Sequence, residues 1–247
     1  MNALRAAIVL LCALPGMARA AAAVASTSFN SNSTTFCDVS FTFTAGNAAW
    51  YVVEYPSART LNSVTSTLGN TFTILSTITD STNGIKVSHA YITNLTGGSD
   101  TVSGNFDASA SNTWCHVVHI SGAQKVLPAG TDIAGQNQAS PGTGTDGVST
   151  GNATPTLSPG LLLAVTVPTS TANTSMAAGT GFTSVASGAF ALNDSSTFWR
   201  TESLAITSAT GAKAATFTQG ANKRTIAVAI AVRDQYAGTK PMLLLGP

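Results

Sequence analysis

Acid–base or metal chemistry in this chain would fall to very few side chains. Among 247 residues there are ten carboxylates, three histidines and three cysteines. The carboxylates are Asp38, Glu54, Asp80, Asp100, Asp107, Asp132, Asp146, Asp194, Glu202 and Asp234. Glycoside cleavage needs two of them facing each other across a cleft. Glu54 and Glu202 are the weak catalytic candidates, because each lies in a strand-like run beside aromatic residues: Trp50 and Tyr51 for one, Trp199 for the other. The plainer expectation is simple pairing, Glu202 with Arg200 on its own strand face and Glu54 with Arg59 or Lys86. On that reading neither carboxylate is catalytic.

The remaining chemistry-bearing types are placed no better. His116 and His119 stand three apart in an extended run, so they face opposite sides of a sheet and cannot chelate one ion together. His89 adds no third ligand. In a chain this rich in serine, a Ser-His-Asp set is an expectation of coincidence rather than of catalysis. Asp132 and Asp146, with Gln136 and Asn137, are weak calcium candidates, but turn-forming Asn and Asp account for the same residues. No cofactor is implied. Trp50, Trp114 and Trp199 are weak candidates for a sugar-stacking platform, although aromatics inside strands more often fill a core.

These residues are scarce because the whole chain is poor in charge. Only 9% of it is charged, against roughly 25% in an ordinary soluble domain. The formal net charge is +1. Such a chain has little with which to hold nucleic acid or to steer a charged substrate. Residues 1–20 carry Arg5, an apolar stretch over 6–14, a break at Pro15-Gly16 and the small-residue ending Ala18-Arg19-Ala20. That is the layout of a secretory signal peptide cleaved near Ala20, and it implies a secreted or cell-surface protein. The later apolar runs at 161–167 and 242–245 are too short to span a membrane. After cleavage Cys37 and Cys115 remain, and two thiols in an oxidising compartment commonly form a disulfide. Cys37 shares a strand face with Val39, Phe41 and Phe43 and should point inward, whereas the facing of Cys115 is left open by the pattern.

Period-two alternation runs through most of the chain. It is clearest at 225–232, with Ile226, Val228, Ile230 and Val232 on one face and Ala227, Ala229 and Ala231 on the other. Similar runs occupy 36–44, 50–55, 71–78, 85–92, 113–121, 161–167, 198–206 and 214–218, punctuated by turns such as Asn83-Gly84. No helical periodicity with caps is present. The expected fold is an all-β, antiparallel two-sheet β-sandwich of jelly-roll-like kind, with two smaller Ig-like sandwiches as the alternative. The domain reading is a β-sandwich over 21–235 with a long Gly/Ser/Thr-rich loop at 122–159, then an apolar C-terminal tail at 236–247. Surfaces dressed in Thr, Ser, Asn and Ala guard strand edges poorly, which suits a protein built to assemble.

The order of turns and strands also resembles a known group. Ala45-Gly46-Asn47 turns into a strand, and Gly69-Asn70-Thr71-Phe72 leads the next. Then come Tyr91-Ile92-Thr93-Asn94, Gly97-Gly98-Ser99-Asp100-Thr101-Val102, and His119-Ile120-Ser121-Gly122. Pro159-Gly160-Leu161-Leu162-Leu163-Ala164 and Gly179-Thr180-Gly181-Phe182-Thr183 follow the long loop. In this the chain resembles a diffuse family of secreted bacterial β-sandwich modules, similar also to modules on surface and virion proteins of tailed bacteriophages. The resemblance implies no catalytic residues. It implies a structural or adhesive module, with glycans or other subunits of a surface assembly as partners.

Overall fold

The computed structural model describes residues 20–32, 34–123, 137–139, 147–150, 160–169, 175–192, 195–207, 213–220 and 224–234. Every regular element among them is a strand. The first half of the chain gives β1 (Ala23–Asn32), β2 (Phe36–Phe43), β3 (Ala48–Pro56), β4 (Leu61–Ser66), β5 (Thr71–Asp80), β6 (Ile85–Ile92), β7 (Gly98–Phe106) and β8 (Thr113–Ser121). They form one antiparallel eight-stranded sheet in the order β1-β8-β3-β6-β5-β4-β7-β2. The second half gives β9 (Asn137–Ala139), β10 (Gly147–Ser149), β11 (Gly160–Pro168), β12 (Met176–Ala178), β13 (Thr183–Leu192), β14 (Ser195–Ile206), β15 (Thr216–Gln219) and β16 (Thr225–Arg233). These make a five-stranded sheet, β13-β14-β11-β16-β9, and a three-stranded one, β10-β15-β12. The fold is the expected all-β antiparallel sandwich, with more layers than two. The segment expected as a long loop supplies the short strands β9 and β10. The calcium candidates Asp132 and Asp146, the leader up to residue 19 and the 236–247 tail lie outside the described residues.

The extra layers follow from strands that are apolar on both faces. Along β3, Trp50 and Val52 alternate with Ala49, Tyr51, Val53 and Tyr55, and all are buried. The eight-stranded sheet turns back on itself at β5, whose first residues pair with β4 and whose remainder pairs with β6. The limb β4-β7-β2 therefore covers one face of β3 and β8, packing Val39, Phe43, Val64 and Val102 against Tyr51, Val53 and Val117. Cys37 on β2 and Cys115 on β8 close this core with a disulfide, their Cα atoms 6.0 Å apart. The Tyr51 hydroxyl donates to the Cys37 carbonyl at 2.8 Å. Gly104 lies beneath it, where a Cβ would come within 2.5 Å of that hydroxyl.

The opposite face of β3, β6 and β8 packs on the five-stranded sheet. Trp50, Val52, Trp114 and Val118 meet Leu163, Val165, Trp199, Ile226 and Val228. Residues from both halves of the chain share this core. The alternation at 225–232 is realised directly: the Ile and Val face enters this core, and Ala227, Ala229 and Ala231 lie under Phe217 of the three-stranded sheet. Alanine on that face lets the outer layer approach closely.

One polar clasp joins the two large sheets at an end. Asp80, at the end of β5, has no exposed surface. Its carboxylate accepts from Thr169 Oγ1 at 2.6 Å, from Arg224 Nε at 2.9 Å and from Asn83 Nδ2 at 2.9 Å. Burial alone would raise its pKa, but these donors outweigh burial and hold it at about 2. A carboxyl with a lowered folded-state pKa contributes stability above its unfolded value of 3.8, and that contribution is lost as pH falls toward 2. Asp80→Ala should cost about 3 kcal/mol near neutral pH, the low end for breaking a buried ion pair because Arg224 is partly exposed. Urea unfolding should also show that the variant loses less stability than the wild type between pH 4 and pH 2. The remainder comes from groups such as Asp100, where burial is likewise outweighed by hydrogen bonds that lower the pKa. An unchanged acid slope would count against the clasp.

Candidate functional site

The sequence candidates are best judged by the layer each one enters. Glu54 continues the Trp50–Val52 face of β3, directly opposite Val87 on β6 and Trp114 on β8. It is fully buried, and neither carboxylate oxygen has a hydrogen-bond partner. Burial raises its pKa well above the usual carboxylate range, so the buried group is a neutral acid. The expected pairing with Arg59 or Lys86 is not formed. Lys86 Nζ donates to the Arg59 carbonyl and Arg59 Nε to the Ser109 carbonyl. Lys86 is one residue out of phase with the Glu54 face, so the pleat carries it to the other side of the sheet.

Glu202 enters a different layer. It stands opposite Ala164 on β11 and Ser184 on β13, on the outer face of the five-stranded sheet. One oxygen accepts the Gly179 N–H at 2.8 Å and the other has no partner. Arg200, its expected partner, instead sends Nη1 to Ser184 Oγ at 2.8 Å and acts on Glu202 only through its field. Burial, opposed by the Gly179 N–H and by Arg200, pushes the Glu202 pKa up to about 7. The two glutamates thus lie on opposite sides of the five-stranded sheet. They cannot converge across one cleft as a glycosidase pair must.

The three tryptophans are all fully buried, so none offers a face to a sugar. Trp114 and Trp199 lie 5.0 Å apart, with His116 4.7 Å from Trp199. Thr201 Oγ1 reaches His116 Nε2 at 3.2 Å. Burial holds His116 at about 3, hence neutral. His119 faces the other way, as its spacing requires, between Phe41 and Phe43. Its Nε2 faces Asn47 Nδ2 at 3.0 Å and its Nδ1 faces Ser26 Oγ at 3.3 Å. His89 and His116 flank Val52 from opposite sides, two strands apart. No group of three metal-ligating side chains occurs among the described residues.

Two further serine arrangements are present. Ser76 Oγ lies 2.6 Å from His89 Nε2, the spacing of a nucleophile and its base. Trp50 Nε1, which can only donate, points at His89 Nδ1 from 3.1 Å. That fixes the ring proton on Nε2, which donates to Ser76 and cannot accept its proton. Burial also lowers the His89 pKa to about 3. The run Gly147-Val148-Ser149-Thr150-Gly151 matches the Gly-x-Ser-x-Gly pattern of nucleophile elbows. That pattern requires a strand-to-helix turn, whereas residues 147–149 here are a strand paired with β15. The expectation from the sequence is that no Gly-x-Ser-x-Gly element occurs, which the 147–151 run corrects; Ser76, by contrast, is not separable in sequence from the many other serines.

One surface groove of about 700 Å³ lies where β1 passes β13 and β14. It is lined by residues 22–27, Leu161, Gly181, 183–185 and 203–205. Its polar side chains are the hydroxyls of Ser26, Thr27, Thr183, Ser184 and Ser203, beside Val24, Val185 and Leu204. Among the described residues, none that lines it is aromatic or ionisable. Such a surface can hydrogen-bond a neutral chain. Its Ser26 Oγ lies 3.3 Å from His119 Nδ1, but the Thr44 N–H points at His119 Nε2 from 3.4 Å. Nε2 therefore accepts, the proton of the neutral ring sits on Nδ1, and His119 cannot take the proton of Ser26. Comparison with protein-family models, with curated proteins and with solved structures finds no match.

Proposed function

We propose that this chain is an exported, non-enzymatic structural or adhesive module that works through its surface. The observation that carries the reading is the separation of Glu54 and Glu202 into different buried layers, with no acidic or basic side chain among the described residues that line the groove. A disulfide closing the first core is compatible with an oxidising compartment, and no helix among the described residues is long and apolar enough to cross a membrane. The test expresses the full chain with residues 1–20 in place. The reading expects export, an N-terminus at Ala21 by sequencing, and no titratable thiol at Cys37 or Cys115. It further expects no reducing ends or unsaturated products from a panel of polysaccharides. Turnover that Glu54→Gln or Glu202→Gln abolishes would overturn it.

The groove favours carbohydrate binding as a second reading, because its five hydroxyl side chains suit a neutral glycan better than a charged ligand. The buried tryptophans would report nothing, so calorimetry is the appropriate measurement. Val185→Trp, which fills the groove, should abolish any glycan heat; binding that survives it would place the glycan elsewhere.

A further inference from the structure

The edges of the sheets are guarded unequally. The eight-stranded sheet ends in β1 and β2, which lie beside each other, with Asn30 Nδ2 donating to the Asp38 carbonyl at 2.8 Å. The three-stranded sheet ends in β10 and β12, and the five-stranded sheet ends on one side in β9, each only three residues long. The other end of the five-stranded sheet is β13, a ten-residue strand that pairs, among the described residues, with β14 alone. Its sequence, TSVASGAFAL, contains no charge and no proline. A bulge between Ser184 and Ala186 interrupts its start, and from 186 to 192 the pairing with β14 runs unbroken. Beyond the bulge, 186–192 presents a row of backbone N–H and C=O groups with no charge or proline on it and no strand paired to its outer side among the described residues.

We infer that β13 pairs with β13 of a second copy of this chain, antiparallel about a two-fold axis. This rests on the reading of the protein as an assembling module. The unmet groups are backbone donors and acceptors, so the matching chemistry is another extended strand. An uncharged strand is its own complement in that pairing, since no like charges on it meet. Phe29 supports the same flank: it is 47% exposed and packs edge-on against Trp199, which stands opposite Gly188 of β13. A second strand laid along β13 covers that side of the molecule. The pairing joins five strands from each copy into one sheet that ends at both sides in the short β9. Self-pairing is therefore closed at the dimer.

The experiment is sedimentation of the full exported chain over a range of micromolar concentrations. The wild type should run as a dimer. Ser187→Lys should run as a monomer with unchanged near-UV dichroism and melting temperature. Ser187 is exposed, and Arg200 opposite it turns its guanidinium toward Ser184. Should that variant fail to fold, Ser187→Asp, at the same exposed position within the unbroken run, takes its place, and a dimer surviving in it counts equally against the inference. A wild type that stays monomeric, a mass that grows without limit, or a dimer that survives in a folded lysine variant overturns the inference. A monomer that still adheres without turnover would sink the strand pairing alone. A dimer that cleaves polysaccharide would sink the functional reading alone.

Discussion

Glu54→Met should make the protein more stable at neutral pH, by about 1 to 3 kcal/mol from relief of the unsatisfied buried carboxyl alone. Both Glu54 oxygens are enclosed without a partner between the eight-stranded and five-stranded sheets. Methionine has similar length and fills the same space without a polar head. A second contribution depends on pH. The folded-state pKa is raised well above 4.5, so the folded protein keeps a proton that an unfolded chain releases above that pH. Stability therefore falls as pH rises through this range, by about 1.4 kcal/mol per unit for one group. Glu54→Gln removes only this slope, because the amide does not titrate but stays unsatisfied. Urea unfolding of both variants at pH 5 and pH 8 separates the two contributions. If either variant is strongly destabilised at pH 8, Glu54 has a partner and the reading of an idle buried acid fails. The result also bears on function, since a catalytic acid could not be replaced by methionine without loss.

Cys37→Ala with Cys115→Ala should remove about 4 to 5 kcal/mol, a large part of the stability of a typical domain. The bridge spans a sequence separation of 78, so reduction frees a long loop in the unfolded chain. It also pins the β4-β7-β2 limb onto β3 and β8. The expected drop in melting temperature is on the order of 10 °C or more for a chain of this size. A loss below about 1 kcal/mol would mean that packing of Tyr51, Val53 and Val117 holds the limb without the bridge.

The strands legible in the sequence are those with bulky faces. Each of the nine alternating runs holds a strand, although 214–215 of the run at 214–218 lie outside β15, and the alternation at 225–232 named both of its faces correctly. The strands that went unread are of another kind. β1 (AVASTSFNSN), β7 (GSDTVSGNF) and β13 (TSVASGAFAL) are built largely from small and polar residues, and composition marks such segments as loop. They pair because a neighbouring strand offers its backbone, which is a tertiary fact. The same blindness applied to the site. Ser76 beside His89 looks like any serine until the sheet register places them side by side, and only Trp50 decides which ring nitrogen holds the proton.

By itself, then, the sequence determined that the chain is all-β, that its aromatics and aliphatics alternate into cores, and that Cys37 points inward. Those conclusions depend on side-chain period and type, which are local. Where each face goes was decided only by tertiary structure. Alternation says that two residues share a face but not which layer covers it. So the structure alone could put Glu54 and Glu202 on opposite sides of one sheet, seal all three tryptophans, bring Cys115 to Cys37 and leave β13 as a long edge among the described strands.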